Sequence, residues 1–274
     1  MSAVGLIMGV DWGATLAKLA LRNPDGSIEY RMLSTEDAET SRAALAAIGA
    51  RRVGLTGAGA TMLARSLPGE VVQVNEFAAW GAGASALLAN GLRRYLLVSV
   101  GTGTSVLLVD GVSVSRVGGT ALGGGTLVGL AAGLIGEPDF EKIAALASRG
   151  SRRSVDLLVS DIYPAGGIAL AGDLTASNFG KYARRLRAGD LVERADVAHA
   201  IAGLIAENVA LVCTGLAAAA QVSTIVFGGS TLRGNTALAD LLGLFCRAYG
   251  REPVFLEHGE FTGALGALRI ANPD

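Results

Sequence analysis

One pattern occurs twice in this chain and constrains its fold more than any other feature: a strand, a turn containing glycine, two further strands, and then helices. The predicted strands are residues 5–10, 17–22 and 27–32 in the first half, and residues 95–100, 105–109 and 112–117 in the second. The sequence NPDG at residues 23–26 and the dipeptide DG at residues 110–111 are hairpin signals within these groups. Each half therefore begins with a predicted antiparallel meander.

Helices and short strands follow each meander. The predicted helices are residues 38–48, 60–67, 75–88, 126–134, 139–147, 155–162, 195–220, 236–249 and 263–270, and the later strands are residues 53–55, 71–74, 224–227 and 254–256. The two halves share an order of elements and not a repeated sequence. This order is typical of two ribonuclease-H-like lobes that face each other across a cleft, and 274 residues suffice for two lobes.

Composition and charge narrow the class of protein. Hydrophobic residues make up 51% of the chain and charged residues 17%, which indicates a globular protein. The formal net charge of -1 argues against a nucleic-acid binder, and the basic group Arg149, Arg152 and Arg153 is predicted to be a solvated helix end or turn. Cys213 and Cys246 lie in apolar helical patterns and are predicted to be buried, unreactive thiols.

Two further patterns bear on location. The first ten residues lack the basic start of a signal peptide, so we expect a cytoplasmic protein. Residues 117–136 are uncharged and long enough to span a bilayer, but eight of these twenty residues are glycines. Because glycine disfavours a helix interior, we predict a loop that leads into a helix here, and no membrane segment.

The first loop (residues 9–18) follows an apolar strand and could hold phosphate. Gly13 allows backbone N–H groups to approach an anion, Thr15 adds a hydroxyl and Lys18 adds a positive charge. Asp11 could hold Mg²⁺ directly or through water, since Mg²⁺ favours carboxylates together with substrate phosphates. An ordinary hairpin turn with a surface lysine explains the same residues equally well.

The second loop (residues 100–105) occupies the equivalent place in the second half. It contains Gly101 and Gly103, and with the preceding Ser99 the segment has four hydroxyls, those of Ser99, Thr102, Thr104 and Ser105, more than a plain hairpin needs. Two such loops, one in each half, are more specific than either alone. They predict a phosphate clamp between paired lobes.

Three further segments are candidates for the same site. Arg116 precedes a glycine run that includes Gly123, Gly124 and Gly125, and it could stabilise charge on a transferring phosphoryl group. The run would lie against a ligand at a helix N-terminus. Gly228, Gly229 and Ser230 follow a strand and suit the adenosine end of a nucleotide. Glu76 begins a helix, where interaction with the helix dipole is explanation enough.

The sequence resembles the type II pantothenate kinases, members of the actin–hexokinase–Hsp70 ATPase superfamily, over nearly its whole length. The motifs that carry the resemblance are DWGATLAKLAL (residues 11–21), NEF (75–77), SVGTGTSV (99–106), RVGGTALGGGTLVGL (116–130), GDLTASNFGK (172–181), VFGGSTLRGN (226–235) and HGEFTGALGAL (258–268). The resemblance implies two actin-like α/β lobes, residues 1–92 and 93–274, each with a mixed five-stranded sheet flanked by helices. The active site would lie in the interlobe cleft, and the final helix could pack back on the first lobe.

The resemblance also implies phosphorylation of pantothenate by MgATP to 4′-phosphopantothenate, the first step of coenzyme A biosynthesis. Glu76 would be the base that accepts the proton of the pantothenate hydroxyl, and Arg116 would contact the substrate and assist transfer. Other residues implied to bind the substrate are Thr102, Ser105, Asn178 and Phe179. Those implied to bind ATP are Asp11, Gly13, Thr15, Lys18, Gly101, Thr102, Gly103, Gly123, Gly124, Gly125, Gly228, Gly229 and Ser230, with Asp11 also at the metal.

Partners and alternatives complete the expectation. The family implies a homodimer that pairs through the helix at residues 195–220, although a helix buried within one subunit would have the same composition. Inhibition by coenzyme A or its thioesters stays open. The first loop departs from the usual Asp-Ile-Gly-Gly-Thr at Trp12 and Ala14. A kinase of the same fold acting on pantetheine or a sugar, and a nucleotide-binding regulator without transfer activity, are the alternatives.

Overall fold

Two five-stranded sheets form the framework of the protein, seen in a computed structural model that describes residues 5–88, 91–163 and 172–273. The strands are β1 Ile7–Trp12, β2 Leu16–Arg22, β3 Ile28–Ser34, β4 Arg52–Thr56, β5 Glu70–Gln73, β6 Arg94–Val100, β7 Thr104–Asp110, β8 Ser113–Thr120, β9 Leu157–Leu158, β10 Thr175–Ser177, β11 Thr224–Gly228 and β12 Glu252–Phe255. The helices are α1 Ala38–Ala47, α2 Ala60–Leu63, α3 Glu76–Leu87, α4 Gly124–Ile135, α5 Phe140–Ala147, α6 Val159–Ile162, α7 Tyr182–Arg187, α8 Arg194–Ala219, α9 Thr236–Ala248 and α10 Thr262–Ala271.

The two large sheets have the same topology. The first has the order β3-β2-β1-β4-β5, and the second has the order β12-β11-β6-β7-β8. In each sheet the first three strands in sequence form an antiparallel meander, and two later strands join it in parallel. The predicted fold class, two mixed five-stranded sheets flanked by helices, is therefore confirmed.

Helices α3 and α10 lie between the two sheets. Helix α10 contacts β1, β2 and β4 of the first sheet, where Ala264, Leu265 and Leu268 pack against Ile7 and Ala20. Helix α3 contacts β8 of the second sheet and also packs along α10. The opposite face of the second sheet is covered by α4, α5, α8 and α9, which form the largest apolar core.

The crossing of α3 and α10 depends on small residues. A methyl group added at Gly266 of α10 would overlap the carbonyl oxygen of Ala79 on α3. We therefore predict that Gly266→Ala lowers the free energy of unfolding by about 3 kcal/mol, because backbone atoms cannot move aside. The matched control is Gly133→Ala on α4, where a methyl group meets nothing within 4 Å. Denaturant unfolding should show that Gly133→Ala raises the free energy of unfolding by about 0.5–1 kcal/mol. Similar free energies of unfolding for the two variants would contradict the prediction.

Several predicted elements were wrong in detail. Residues 155–162, predicted as a helix, instead form the short strand β9 and one turn of helix, because β9 pairs with β10 from a distant part of the chain. Helix α2 ends at Leu63 and not at residue 67, since the chain turns there before β5. Strand β10 and helix α7 were not predicted. Each of these depends on contacts that short sequence patterns do not encode.

Arg152, predicted to be solvated, is buried. Its guanidinium donates to the hydroxyl of Thr175 and to the carbonyl of Asp173, and it lies 3.5 Å from Asp156 Oδ2. Burial raises the pKa of Asp156, whose carboxylate accepts a hydrogen bond from Phe179 N. Arg152 is therefore part of a buried polar cluster that holds residues 173–179, whereas Arg149 and Arg153 are exposed, as predicted.

Residues 117–136 form the end of strand β8, a short connection and helix α4, so the predicted loop begins later than expected and leads into a helix, as predicted. Helix α8 is long and apolar enough to cross a membrane, but 61% of its most apolar window is buried within the protein. That is the pattern of a core helix. Cys213 and Cys246 are buried free thiols, as predicted, and burial raises the pKa of both, to about 12 for Cys246.

Candidate active site

The two loops meet at a cleft of about 380 Å³ between the sheets. The residues that line it are Asp11, Gly13, Ala14, Thr15, Lys18, Gly57, Ala58, Glu76, Trp80, Ser99, Gly101, Thr102, Gly103, Thr104, Ser105, Arg116, Thr120 and Ser230. Strands β1, β4, β6 and β11 all end at this cleft. Ligands commonly bind at the carboxyl ends of parallel strands, so the topology alone favours this cleft as the functional site.

The loops present unused backbone donors to the cleft. In the first loop the amides of Ala14 and Thr15 donate no hydrogen bond among the described residues, and in the second loop the same holds for Thr102 and Gly103. The carbonyls of the second loop are occupied, since Gly101 O accepts from Gly124 N and from the hydroxyl of Thr231. A loop fixed through its carbonyls, with amides open, is suited to an anion such as phosphate.

Asp11 lies at the end of β1 and faces α10. Its side chain is 7% exposed, and its Oδ2 is 3.6 Å from Lys18 Nζ on the neighbouring strand. No other hydrogen bond or ion pair reaches the carboxylate within the described residues. Gly57 and Gly263 leave room around it, because a methyl group at either would lie 2.7 or 2.8 Å from a carboxylate oxygen. A nearly buried carboxylate with so few partners fits an aquated Mg²⁺ shared with phosphate.

Glu76 is placed by the start of α3. Asn75 caps this helix by accepting hydrogen bonds from the amides of Phe77 and Ala78, so the first helical residue projects into the cleft. Burial raises the pKa of the Glu76 carboxyl, the negative charge of Asp11 raises it further, and Lys18 partly opposes them. A carboxyl with a raised pKa, open to a cleft, is suited to accept a proton from a substrate hydroxyl.

Arg116 reaches the cleft from β8. A β-bulge between Val106 and Leu107 sets its register, in which Leu107 pairs with Arg116 and Ser105 pairs with Gly119. Paired residues share a face, so Arg116 lies on the face that α3 covers, together with Ser105. The Arg116 guanidinium makes no hydrogen bond or ion pair within the described residues, and Gly119 leaves room for it, because a methyl group added there would lie 2.9 Å from Nη2. A free cation thus shares the cleft with Glu76.

The glycine run after β8 supports the second loop. Gly124 N and Gly125 N donate to the carbonyls of Gly101 and Thr102, so these two amides are not free for a ligand. Their surfaces instead line a second cavity of about 610 Å³, which has an apolar wall at Val128 and Phe140. Thr15, Thr102 and Ser230 line both cavities, so the second cavity adjoins the cleft.

Other predicted site residues lie elsewhere. Gly228 and Gly229 line neither of these two cavities but a third one of about 110 Å³, and a side chain at Gly229 would overlap the backbone of Val100 at the end of β6. Asn178 and Phe179 also lie outside both cavities, with Phe179 packed edge-to-face on Tyr182. Gly123 packs against the carbonyls of Gly101 and Thr102.

The unusual residues of the first loop have separate consequences. Trp12 points into the core of the first sheet, away from the cleft, and packs on Gly59. The φ angle of Ala14 is not in the positive range, so its backbone adopts a conformation that alanine tolerates. Both departures are therefore compatible with an open loop.

Several lining residues were not among the predicted binding residues. Ser99, one of the four hydroxyl residues of the second loop segment, pairs directly with Ser105 across β6 and β7 and shares its face, a relation that strand alternation could have revealed. Trp80 lies one helical turn after Glu76 and therefore on the same face of α3. Gly57, Ala58 and Thr120 offered no such signal.

Comparison with known proteins shows the family of this chain. The Fumble family model matches residues 53–269. A type II pantothenate kinase of Bacillus cereus (strain G9842) is 32% identical over 269 residues, which cover 95% of this chain and 97% of that protein.

Two solved structures share the fold. Component A of (R)-2-hydroxyglutaryl-CoA dehydratase from Acidaminococcus fermentans superposes with a TM-score of 0.66 at 19% identity, covering 97% of both chains. A ROK family glucokinase from Streptomyces griseus, in complex with glucose and AMPPNP, has a TM-score of 0.61 at 16% identity, covering 97% of this chain and 99% of the other. At these identities the two solved structures support only the fold. The family follows from the match to the Fumble model and to the Bacillus cereus protein: this chain belongs to the type II pantothenate kinase family.

Proposed function

We propose that this protein phosphorylates pantothenate with MgATP to give 4′-phosphopantothenate, the first step of coenzyme A biosynthesis. The observation that carries the proposal is the cleft in which Glu76 and the unpaired Arg116 stand above two loops with open amides. The name and full-length similarity of the Bacillus cereus relative support the choice of substrate.

In this proposal the residues divide the reaction between them. The open amides of the two loops, with Thr15 and Lys18, hold the phosphates of ATP, and Asp11 holds Mg²⁺, which neutralises phosphate charge. The nucleoside extends past Ser230 into the second cavity. Phosphoryl transfer has a loose transition state, so positioning and charge stabilisation supply most of the rate.

The acceptor hydroxyl approaches from the side of the second sheet. Ser105 and Thr102 line that side and would orient the pantothenate hydroxyl toward Glu76, which takes its proton. Arg116 would neutralise charge that develops on the transferring group. Asn178 and Phe179, which lie outside the cleft of one subunit, remain proposed substrate contacts only if another subunit brings them there.

The proposal includes a cytoplasmic homodimer that pairs through α8. This helix exposes Leu211, at 54%, and Gly215, which has nothing near its open side, although most of the helix is buried. The division into lobes at residues 92 and 93, with α10 packed on the first sheet, belongs to the same proposal. Coenzyme A or its thioesters are proposed inhibitors.

The deciding test is a coupled ADP-release assay with pantothenate, pantetheine and glucose as separate acceptors. We expect ADP release with pantothenate, and the same assay with added coenzyme A measures feedback inhibition. Turnover of glucose but not pantothenate would favour a sugar kinase. Binding of ATP with no turnover of any acceptor would favour a regulator.

A further inference from the structure

Trp80 lines the cleft, yet none of the roles proposed above uses it. Its side chain is nearly buried, at 6% exposed, and its ring belongs to the apolar cluster that includes Tyr95, Leu97 and Val226. A tryptophan that served only packing could be oriented in several ways. The orientation of this one directs its polar edge toward the site.

Two glycines define that orientation. A methyl group added at Gly228, at the end of β11, would lie 3.4 Å from Trp80 Cζ3, and one added at Gly263 of α10 would lie 3.0 Å from Nε1. The six-membered ring therefore faces β11, and the N–H edge faces α10. Small residues at both places allow the indole to occupy the space between these elements.

The N–H edge lies beside Asp11. The methyl group added at Gly263 would also lie 2.8 Å from Asp11 Oδ2, so Trp80 Nε1 and Asp11 Oδ2 are both next to one position on α10. These two distances limit the separation of Nε1 and Oδ2 to no more than 5.8 Å, which one bridging water can span. The indole N–H is a donor only, and it has no hydrogen-bond partner within the described residues.

We propose that Trp80 is a positioning residue for Asp11: its indole N–H donates to the carboxylate, or to water held there, and so orients the oxygens toward the metal of the bound nucleotide. The inference rests on the proposed function, because it takes Asp11 as the Mg²⁺ residue. Lys18, 3.6 Å from Oδ2, approaches from the neighbouring strand β2, whereas Trp80 approaches from α3. Donors on two sides would restrict rotation of the carboxylate.

The test compares Trp80→Phe with Trp12→Phe. Both changes replace an indole by a phenyl ring at a nearly buried position, and Trp12 adjoins Asp11 in sequence but faces the opposite side of the sheet. Calorimetry measures the binding of ADP over a range of Mg²⁺ concentrations and with Mg²⁺ removed by chelation. We expect Trp80→Phe to raise the Mg²⁺ concentration required about 10-fold or more while leaving Mg²⁺-free ADP binding unchanged, and Trp12→Phe to change neither.

A second measurement keeps Trp80 in place. In the Trp12→Phe chain, Trp80 is the one remaining tryptophan of the two in the sequence. We expect its fluorescence to change with ADP and Mg²⁺ together but not with ADP alone. This measurement stands even if Trp80→Phe fails to fold, which its thermal unfolding would reveal.

Each remaining outcome has a defined meaning. A wild-type Mg²⁺ requirement in folded Trp80→Phe, or an equal loss of ADP binding with and without Mg²⁺, would overturn the inference and leave the proposed function intact. Trp80 fluorescence that responds to ADP in the same way with and without Mg²⁺ would also overturn the inference and leave the proposed function intact. A wild-type protein that binds no ADP would overturn the proposed function, and this inference with it.

Discussion

Replacing Glu76 by glutamine should lower the turnover of pantothenate about 10²–10⁴-fold while ATP still binds. Glutamine preserves the size and hydrogen-bonding shape of the side chain but cannot accept a proton from the substrate hydroxyl. The measurement is steady-state ADP release, with calorimetry to show that ATP affinity is retained. Because Glu76 lies at the start of α3 and not in the phosphate loops, nucleotide binding should be nearly unaffected.

The control must separate loss of the catalytic base from loss of a favourable charge at a helix N-terminus. Glu39 occupies the first turn of α1, away from the cleft, so Glu39→Gln removes a charge of the same kind from the same helical turn. We expect it to cost at most about 1 kcal/mol of stability and no activity. Wild-type turnover in Glu76→Gln would rule out Glu76 as the base.

The pH dependence follows from the raised pKa of Glu76. A base must be ionised, so turnover should be present at high pH and fall as the pH decreases through a pKa above that of an ordinary glutamate. The effect on stability has the opposite sign. A carboxyl whose pKa is raised on folding binds its proton more tightly in the folded state, so the stability it contributes is lost as pH rises through the folded pKa. Glu76→Gln should therefore lose less stability than the wild type between acidic and neutral pH.

Replacing Arg116 by alanine should lower turnover about 10²–10³-fold, the second large effect. The guanidinium is unpaired in the free protein within the described residues, so its removal leaves no buried partner charge and should cost little stability. Turnover and thermal unfolding, measured side by side, test both parts of this expectation.

Two further variants sharpen the result. Arg116→Lys keeps the charge but loses the planar, two-pronged donor, and it should recover part of the activity. Arg31→Ala removes a guanidinium that pairs with Glu29 at 2.7 Å on the exposed strand β3, and it should leave turnover unchanged. Equal turnover in wild type and Arg116→Ala would show that Arg116 takes no part in transfer.

Much of the site could be predicted because its signals are local. The first and second loops were recognisable from glycines and hydroxyls next to apolar strands, and the capped start of α3 from Asn75. Hydrogen bonds of turns and caps join residues that are close in sequence, so short patterns encode them. The two meanders followed for the same reason.

Other parts of the site depend on distant contacts. Asn178 and Phe179 belong to a family motif, but a buried cluster around Arg152 and Asp156 holds their segment outside the cleft. Gly228 and Gly229 have the composition of a nucleotide-binding turn, and packing also requires both to be small: a methyl group at Gly228 would lie 2.9 Å from Gly259 O, and one at Gly229 would overlap the backbone of Val100. The ligand contacts of these four residues stay predictions.

Sequence patterns were thus sufficient for the two repeated meanders, for the two glycine-bearing loops and for Arg116 as a candidate, whereas Glu76 became a candidate only through the resemblance to a family motif. Tertiary packing decided that Arg152 is buried, that Trp12 faces the core and that the N–H of Trp80 lies beside Asp11. The physical reason is range. Turns and caps are determined by neighbours within a few residues, whereas the orientation of Trp80 is determined by glycines 148 and 183 positions further along the chain, by the numbering of Gly228 and Gly263.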